Sequence, residues 1–427
     1  MTTTTGPSTP PVRLGALDRL LDTVSGDRMA ATVTALAGEA FAGRRVGSAG
    51  GAAARAWLGQ RLADLGAAVA VEPFPVRAVP EIYAPPAVRW HDGTTTSDLT
   101  FGRQVSVHLA SADVPLIRRG GLAVAGAGDP TGRWLVVPAG MSLFDAYGQA
   151  DGAVGLLLPR GVDGDGWQYT MLAGPNPGPL PILTIDIAAH AALQAAGTVD
   201  GAWLAGNAPI RRLDVTAANL YGHRRATSTA AVEVLLTAHY DGVGDHPGLR
   251  QPGAADNASG VAVVLEAVRV LTSALPDTVG LSVAFLDAEE VGALGSAHHA
   301  NHLAEMGRHP LVINVDGAGH LRQAAAVEAG GPAHALLAVL DQAAQHTGLP
   351  LVAGPVASDN RRYAAAGLPA VGIGAGMAGY HSPADTPDRV DPATTTALAR
   401  LVVATVWLAA RPNTVGGASG SVTSIDV

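Results

Sequence analysis

The second half of the chain alternates short, unbroken apolar runs with stretches of helical spacing. The runs are "AVEVLLTA" (231–238), "VGLSVAFL" (279–286), "LVINV" (311–315) and "PAVGIG" (369–374). Helical patterns fill 257–274, 292–306, 332–347 and 359–366. A short apolar run without polar alternation reads as a strand covered on both faces. Such strands alternating with helices predict an α/β fold, a mixed, mostly parallel sheet with helices on both faces. Residues 49–66, "AGGAAARAWLGQRLADLG", add a helix that stops at Gly66.

Between these parts the texture changes. Residues 80–210 are rich in Pro and Gly and carry short β-like runs such as "WLVVPAG", "GAVGLLLPRG" and "LPILTIDI". We expect an inserted, mostly β domain over 79–211, and a discontinuous main domain over 15–78 and 212–411. Thr/Pro-rich residues 1–14 and the Gly/Ser-containing stretch 412–427 are expected to be disordered. The run "LVVATVWLAA" at 401–410 reads as a buried helix, because no apolar run approaches the ~20 residues of a membrane span.

Charge and cysteine content narrow the function. The formal net charge of the 427 residues is -9 without a dense Lys/Arg stripe, so neither nucleic acid nor an anionic membrane is an expected partner. The N-terminus lacks a signal-peptide core, and a cytoplasmic location is expected. Cysteine is absent, which excludes disulfides and thiolate chemistry. A metal in this chain must sit on His, Asp and Glu, a donor set that suits zinc or a similar divalent ion.

The apolar runs end in such donors. His239, Tyr240 and Asp241 follow the first; Asp287, Glu289 and Glu290 follow the second. Asp316 follows the third, and a Gly-rich loop after the fourth reaches Tyr380 and His381. Asp256 precedes the helical stretch at 257. Open α/β sheets bind ligands beyond the carboxyl ends of their strands, so these groups are expected to meet at one edge. Any one of them alone is as easily a solvated strand end. Taken together they match a metal site. Two Zn2+ ions bring four positive charges; Asp256, Glu290, Asp316 and a bridging hydroxide balance them, with His239 and His381 as neutral ligands. Glu289 is then free to take a proton from the attacking water.

The segments "TAHYDGVG", "GAADNASGVAVVLEA", "FLDAEEVGALGS", "INVDGAG" and "GYHSPADTPDRVD" resemble, in order, the motifs of the dizinc aminopeptidases, co-catalytic metallopeptidases whose distant relatives include glutamate carboxypeptidases and glutaminyl cyclases. The resemblance covers most of 212–410, and "FAGRRVGSAGGAAARAWLGQRLADLGA" resembles the helix that opens that domain. The insert looks like a protease-associated domain. The resemblance implies His239 and Asp316 on one zinc, Glu290 and His381 on the other, and Asp256 bridging them. It implies Glu289 as general acid/base and Asp241 as the carboxylate that orients the His239 ring. It also implies a cis peptide after Asp256. Tyr380 resembles a tyrosine that stabilises the oxyanion, or else packs over His381. The family's Ser-Asp-His is Ser358, Asp359 and Asn360 here, which puts the substrate-contacting loop in question.

The implied activity is an exopeptidase that cleaves the N-terminal bond of a peptide or small amide. Other readings are an acyl-transfer, amidohydrolase or cyclising enzyme on a small amine-bearing metabolite, and a non-catalytic binding protein on a peptidase fold. His298, His299 and His302 do not form His-Glu-x-x-His and are expected to be packing or solvated residues.

Overall fold

The computed structural model describes residues 14–224 and 232–411. The termini expected to be disordered lie outside the described residues, except that Leu14 opens the helix Leu14–Leu21. The main sheet orders its strands Ala68–Ile82, Ile210–His223, Val279–Leu286, Val232–His239, Leu311–Val315, Ala370–Gly374, Ala325–Gly330 and Leu351–Ala353. The inner members, from Val279–Leu286 to Ala370–Gly374, are mutually parallel, and antiparallel neighbours flank them on both sides.

Alternation along these strands explains why the sequence runs were unbroken. Leu236, Val283, Phe285 and Ile313 enter one core, while Leu235, Ala284 and Val312 enter the core on the opposite face. Successive side chains point to opposite faces, and both faces are dry. The larger core is roofed by Gly26–Leu36, Ser259–Thr272, His334–Thr347 and Pro392–Ala409. Leu294–Glu305 and Asn360–Ala365 cover the other face. The helix Pro392–Ala409 is long and apolar enough to cross a membrane, yet 67% of it is buried inside this fold. Asp391 caps it, accepting from the backbone N–H groups of Ala393 and Thr394, and Pro392 fits the first turn.

Register then sets the level at which the strands end. His239 pairs with Leu286, and Thr237 pairs with Asn314. The residues after Leu286 and after Val315 therefore emerge beside His239, at the same edge of the sheet.

Sequence periodicity did not reveal the long antiparallel ribbon of Ala68–Ile82 with Ile210–His223. It leaves the main sheet and carries a second sheet, with strands between Val88 and Ala208. That sheet contains a run of parallel strands, Val114–Val124, Arg133–Val136, Gly155–Arg160 and Ile182–Asp186, along with the helices Leu143–Gly148 and Ile187–Ala196.

His299 is packed within the smaller core. Its Nδ1 lies 2.8 Å from the Tyr363 hydroxyl, and its ring centroid is 4.4 Å from that of Tyr221. Burial, aided by the nearby His302, Arg308, His223 and His298, pushes its pKa down to about 3. The unfolded chain titrates this imidazole near about 6.5, so between these values it binds the extra proton and stability falls as pH falls. Urea unfolding of His299→Gln between about pH 6 and about pH 4 should show a slope of stability on pH flatter by up to about 1.4 kcal/mol per pH unit. An unchanged slope would mean that His299 is not held neutral.

Candidate metal centre

At the carboxyl edge of the main sheet the structure brings together two groups of metal-ligating side chains: His239, Asp256 and Asp316, and Asp256, Glu290 and His381. All are buried. His239 Nε2 lies 3.3 Å from Asp256 Oδ1 and 3.4 Å from Asp316 Oδ1. His381 Nε2 lies 3.0 Å from Asp256 Oδ2 and 2.9 Å from Glu290 Oε2. Asp256 thus turns one oxygen to each group.

Each position has a local cause. Asp256 sits in an irregular turn, Ala254–Ala258, held from below by Asp385. The Asp385 carboxylate accepts from the Ala255 N–H at 2.6 Å and the Asp256 N–H at 3.0 Å. The peptide bond between Asp256 and Asn257 is cis. The Asn257 side chain donates to the Val315 carbonyl at 3.0 Å and accepts from the Gly317 N–H at 3.2 Å, which ties the turn to the strand that delivers Asp316. Asp241 was expected to orient His239 through its carboxylate. That carboxylate is 3.5 Å from Nδ1, whereas the Asp241 backbone carbonyl is at 3.2 Å. The carboxylate itself accepts from the N–H groups of Glu289 and Glu290, at 3.1 and 3.2 Å, and fixes the course of that loop.

The sequence reading also passed over Arg44. Its side chain is fully buried and donates to the carbonyls of Tyr240, Leu36, Pro252 and Gly253 at 2.7–2.8 Å. It clamps the loop after His239 to the loop before Asp256. Nothing but an arginine in "FAGRRVGS" pointed to it. Asp359 is likewise buried, and among the described residues neither of its oxygens meets a hydrogen-bond donor of ordinary geometry. Burial, with Asp316 and Asp241 nearby, raises its pKa to about 7.

The histidine tautomers test whether a cation fits. His381 Nδ1 lies 2.8 Å from the Thr170 carbonyl, and His239 Nδ1 faces the Asp241 carbonyl. A carbonyl only accepts, so each Nδ1 carries the proton and each Nε2 of a neutral ring presents a lone pair. Those lone pairs face carboxylate oxygens, which are also acceptors. Positive charge must lie between them, as a second ring proton or as a metal ion. The side chains show the same demand. Burial opposes charge on both rings, yet Asp316 and Glu289 around His239, and Glu290 and Asp256 around His381, hold their pKa values well above the usual imidazole range. Burial pushes Glu290 up, with Asp256 adding to the shift and His381 opposing it. Among the described residues, Asp316 Oδ1 has no hydrogen-bond partner. Donors around a tetrahedral ion with bonds of about 2.1 Å lie roughly 3.4 Å apart, close to the spacing here. The residues fit a pair of zinc-like ions.

Glu289 stands beside the two groups, partly open to solvent, and no side chain or backbone group hydrogen-bonds its carboxylate among the described residues. Burial and the neighbouring Asp359, Asp316 and Glu290 push its pKa well above the carboxylate range, against the pull of His239. The Tyr380 ring lies flat on His381, with centroids 3.7 Å apart and planes 19° apart. That is the packing arrangement foreseen as the alternative to an oxyanion role. His298 stacks on Phe74, and its Nε2 is 3.2 Å from Glu72, far from the site's own network.

The family model for peptidase family M28 matches residues 219–406. Aminopeptidase YwaD of Bacillus subtilis (strain 168) is 38% identical over 104 residues, a match that spans 24% of this chain and 22% of that protein. BSAP, a zinc aminopeptidase from Bacillus subtilis, superposes with a TM-score of 0.70 at 21% identity, over 90% of this chain and 95% of its own. A glutaminyl cyclase of Porphyromonas gingivalis reaches 0.50 at 17% identity, over 90% of this chain and 98% of its own. At these identities the structural likeness is one of fold, and the fold serves more than one chemistry.

A buried cluster short of positive charge gains stability from the ion that supplies it. Zinc at about 100 times its dissociation constant should raise the unfolding free energy by about 2.7 kcal/mol, and a chelator should abolish the gain. Thermal melts with and without zinc provide the measurement. Indifference to both additions would rule the ion out.

Proposed function

We propose, from the match of residues 219–406 to the model of peptidase family M28, that this chain is a dizinc aminopeptidase that hydrolyses the N-terminal peptide or amide bond of its substrate. The observation that carries the reading is Asp256, with one oxygen turned to His239 and the other to His381. A bridging carboxylate needs that arrangement, and a site for a single ion does not.

Asp316 and His239 would hold one ion, and Glu290 and His381 the other. When bound, the pair supplies Lewis acidity toward the scissile carbonyl and lowers the pKa of the attacking water. The protein's own part is proton transfer and positioning. Glu289 takes a proton from the water as its oxygen adds to the carbonyl carbon. It then gives that proton to the nitrogen as the C–N bond breaks, and the second proton of the water passes from the new carboxyl group to the amine, leaving a carboxylate and an ammonium group. Asp241 serves this step by fixing the backbone of Glu289 and Glu290 together, so that base and ligand keep a constant offset. The surplus of carboxylates suits a substrate with a cationic α-amino group, which is what an exopeptidase must recognise.

Glu289→Gln should keep its metal and lose about 10²- to 10⁴-fold in turnover on aminoacyl chromogenic amides. Full activity in this variant would remove Glu289 from the chemistry. Asp256→Ala should instead purify without its full complement of zinc. Two zinc ions per chain in that variant, counted by elemental analysis, would remove the bridging role. An active wild-type preparation that cyclises or transfers acyl groups but leaves the aminoacyl amides intact would replace the peptidase reading with a transferase one.

A further inference from the structure

The two histidines are not held in the same way. His239 ends a central strand of the main sheet, and its Nδ1 partner is the carbonyl of Asp241, two residues on. His381 lies in a loop, and its Nδ1 partner belongs to the second sheet's domain. The Thr170 carbonyl accepts from His381 Nδ1 at 2.8 Å, and the Thr170 N–H donates to the His381 carbonyl, also at 2.8 Å. One residue of the insert thereby fixes both the ring and the backbone of a candidate ligand.

The backbone needs such support. His381 has φ of 51°, in the left-handed region that a side-chain-bearing residue rarely occupies. A conformation of this kind persists only where its surroundings hold it. Further contacts from the same segment of the insert hold the same loop. Ser382 Oγ donates to Asp163 Oδ2 at 2.9 Å, and Arg389 forms a bidentate pair with Asp165 at 2.5 and 2.7 Å. The insert segment is itself braced. Asp163 Oδ1 accepts from the N–H groups of Asp165 and Trp167, and the Arg103 guanidinium lies 3.7 Å above the Trp167 ring. A braced segment transmits its position to what it touches.

We propose that the insert is a working part of the metal centre. Thr170 and Asp163 are positioning residues for His381, and the occupancy of the site formed by Asp256, Glu290 and His381 depends on the docking of the 161–171 segment. The site formed by His239, Asp256 and Asp316 does not share this dependence, since its ligands come from the main domain alone. This rests on the two-ion reading above and adds an asymmetry to it. Disturbing the insert lowers the affinity for one ion and spares the other.

The test is zinc binding to the full chain, titrated in metal-buffered solution and counted by elemental analysis. Asp163→Ala removes the insert's acceptor for Ser382, leaving only the Gly379 carbonyl of the same loop, and Arg389→Asp sets two acids against each other. Both variants should bind one ion as the wild type does and the second about 10- to 100-fold more weakly, the usual loss when a ligand's supporting partner is removed. The exchanged pair Asp165→Arg with Arg389→Asp should recover the second ion, which a variant with a generally damaged fold would not do. Wild-type affinities for both ions in the single variants would overturn the proposal and leave the two-ion reading intact. So would a parallel weakening of both ions. A wild-type chain that never takes up two ions would overturn the two-ion reading, and this proposal with it.

Discussion

The Nε2 atoms of His239 and His381 are held 2.9–3.4 Å from carboxylate oxygens, a spacing that needs positive charge between them, as a second ring proton or as a metal ion. Backbone carbonyls behind both rings leave no freedom to swap the proton from one nitrogen to the other. The arrangement is coherent only with positive charge supplied between the rings and the acids. Much of the surrounding architecture serves to keep these repelling groups together. Asp385 ties down the turn of Asp256, Asn257 staples that turn to the neighbouring strand, and Arg44 draws two loops around one buried guanidinium. Arg44 is also a permanent cation close to the acids. Burial lowers its pKa, and Asp385, Asp256, Asp241 and Glu290 oppose that shift.

The sheet makes the convergence possible. Parallel strands in a common register all end at one edge, so residues far apart in sequence arrive there without any loop having to reach across the molecule. Neighbouring residues after a strand end point in different directions. This lets Glu290 turn to His381 while the Glu289 carboxylate has no hydrogen-bond partner among the described residues. The adjacent glutamates in "FLDAEEVGALGS" thus face different surroundings, separated by the alternation of the backbone, and their N–H groups are held by a single carboxylate, that of Asp241.

What was legible in the sequence was whatever burial forces into side-chain identity. The strand expected at 279–286 is Val279–Leu286, and that at 311–315 is Leu311–Val315, because strands covered on both faces must be apolar throughout. The ligand set stood out because acids directly after such strands are expensive unless something neutralises them. Other features left no such mark. The long ribbon of Ala68–Ile82 with Ile210–His223 has mixed exposure, so its pattern is neither alternating nor unbroken. Thr170 acts through its peptide group, which every residue type shares. Arg44 and Asp385 look like any surface charge until their partners, which are mostly backbone atoms from distant segments, are known.

The opening helices of the described chain have a consequence for biosynthesis. The helix Pro392–Ala409 packs against Gly26–Leu36 and Leu14–Leu21, and Arg400 donates to the Leu21 carbonyl across a separation of 379 residues. The apolar faces of these early helices thus find part of their cover in a helix near the far end of the described residues. Met29, Val33 and Leu36 share their core with Ser259–Thr272 as well as with Pro392–Ala409, both far downstream in the chain. Contacts of such long range close slowly and leave nascent chains prone to aggregation.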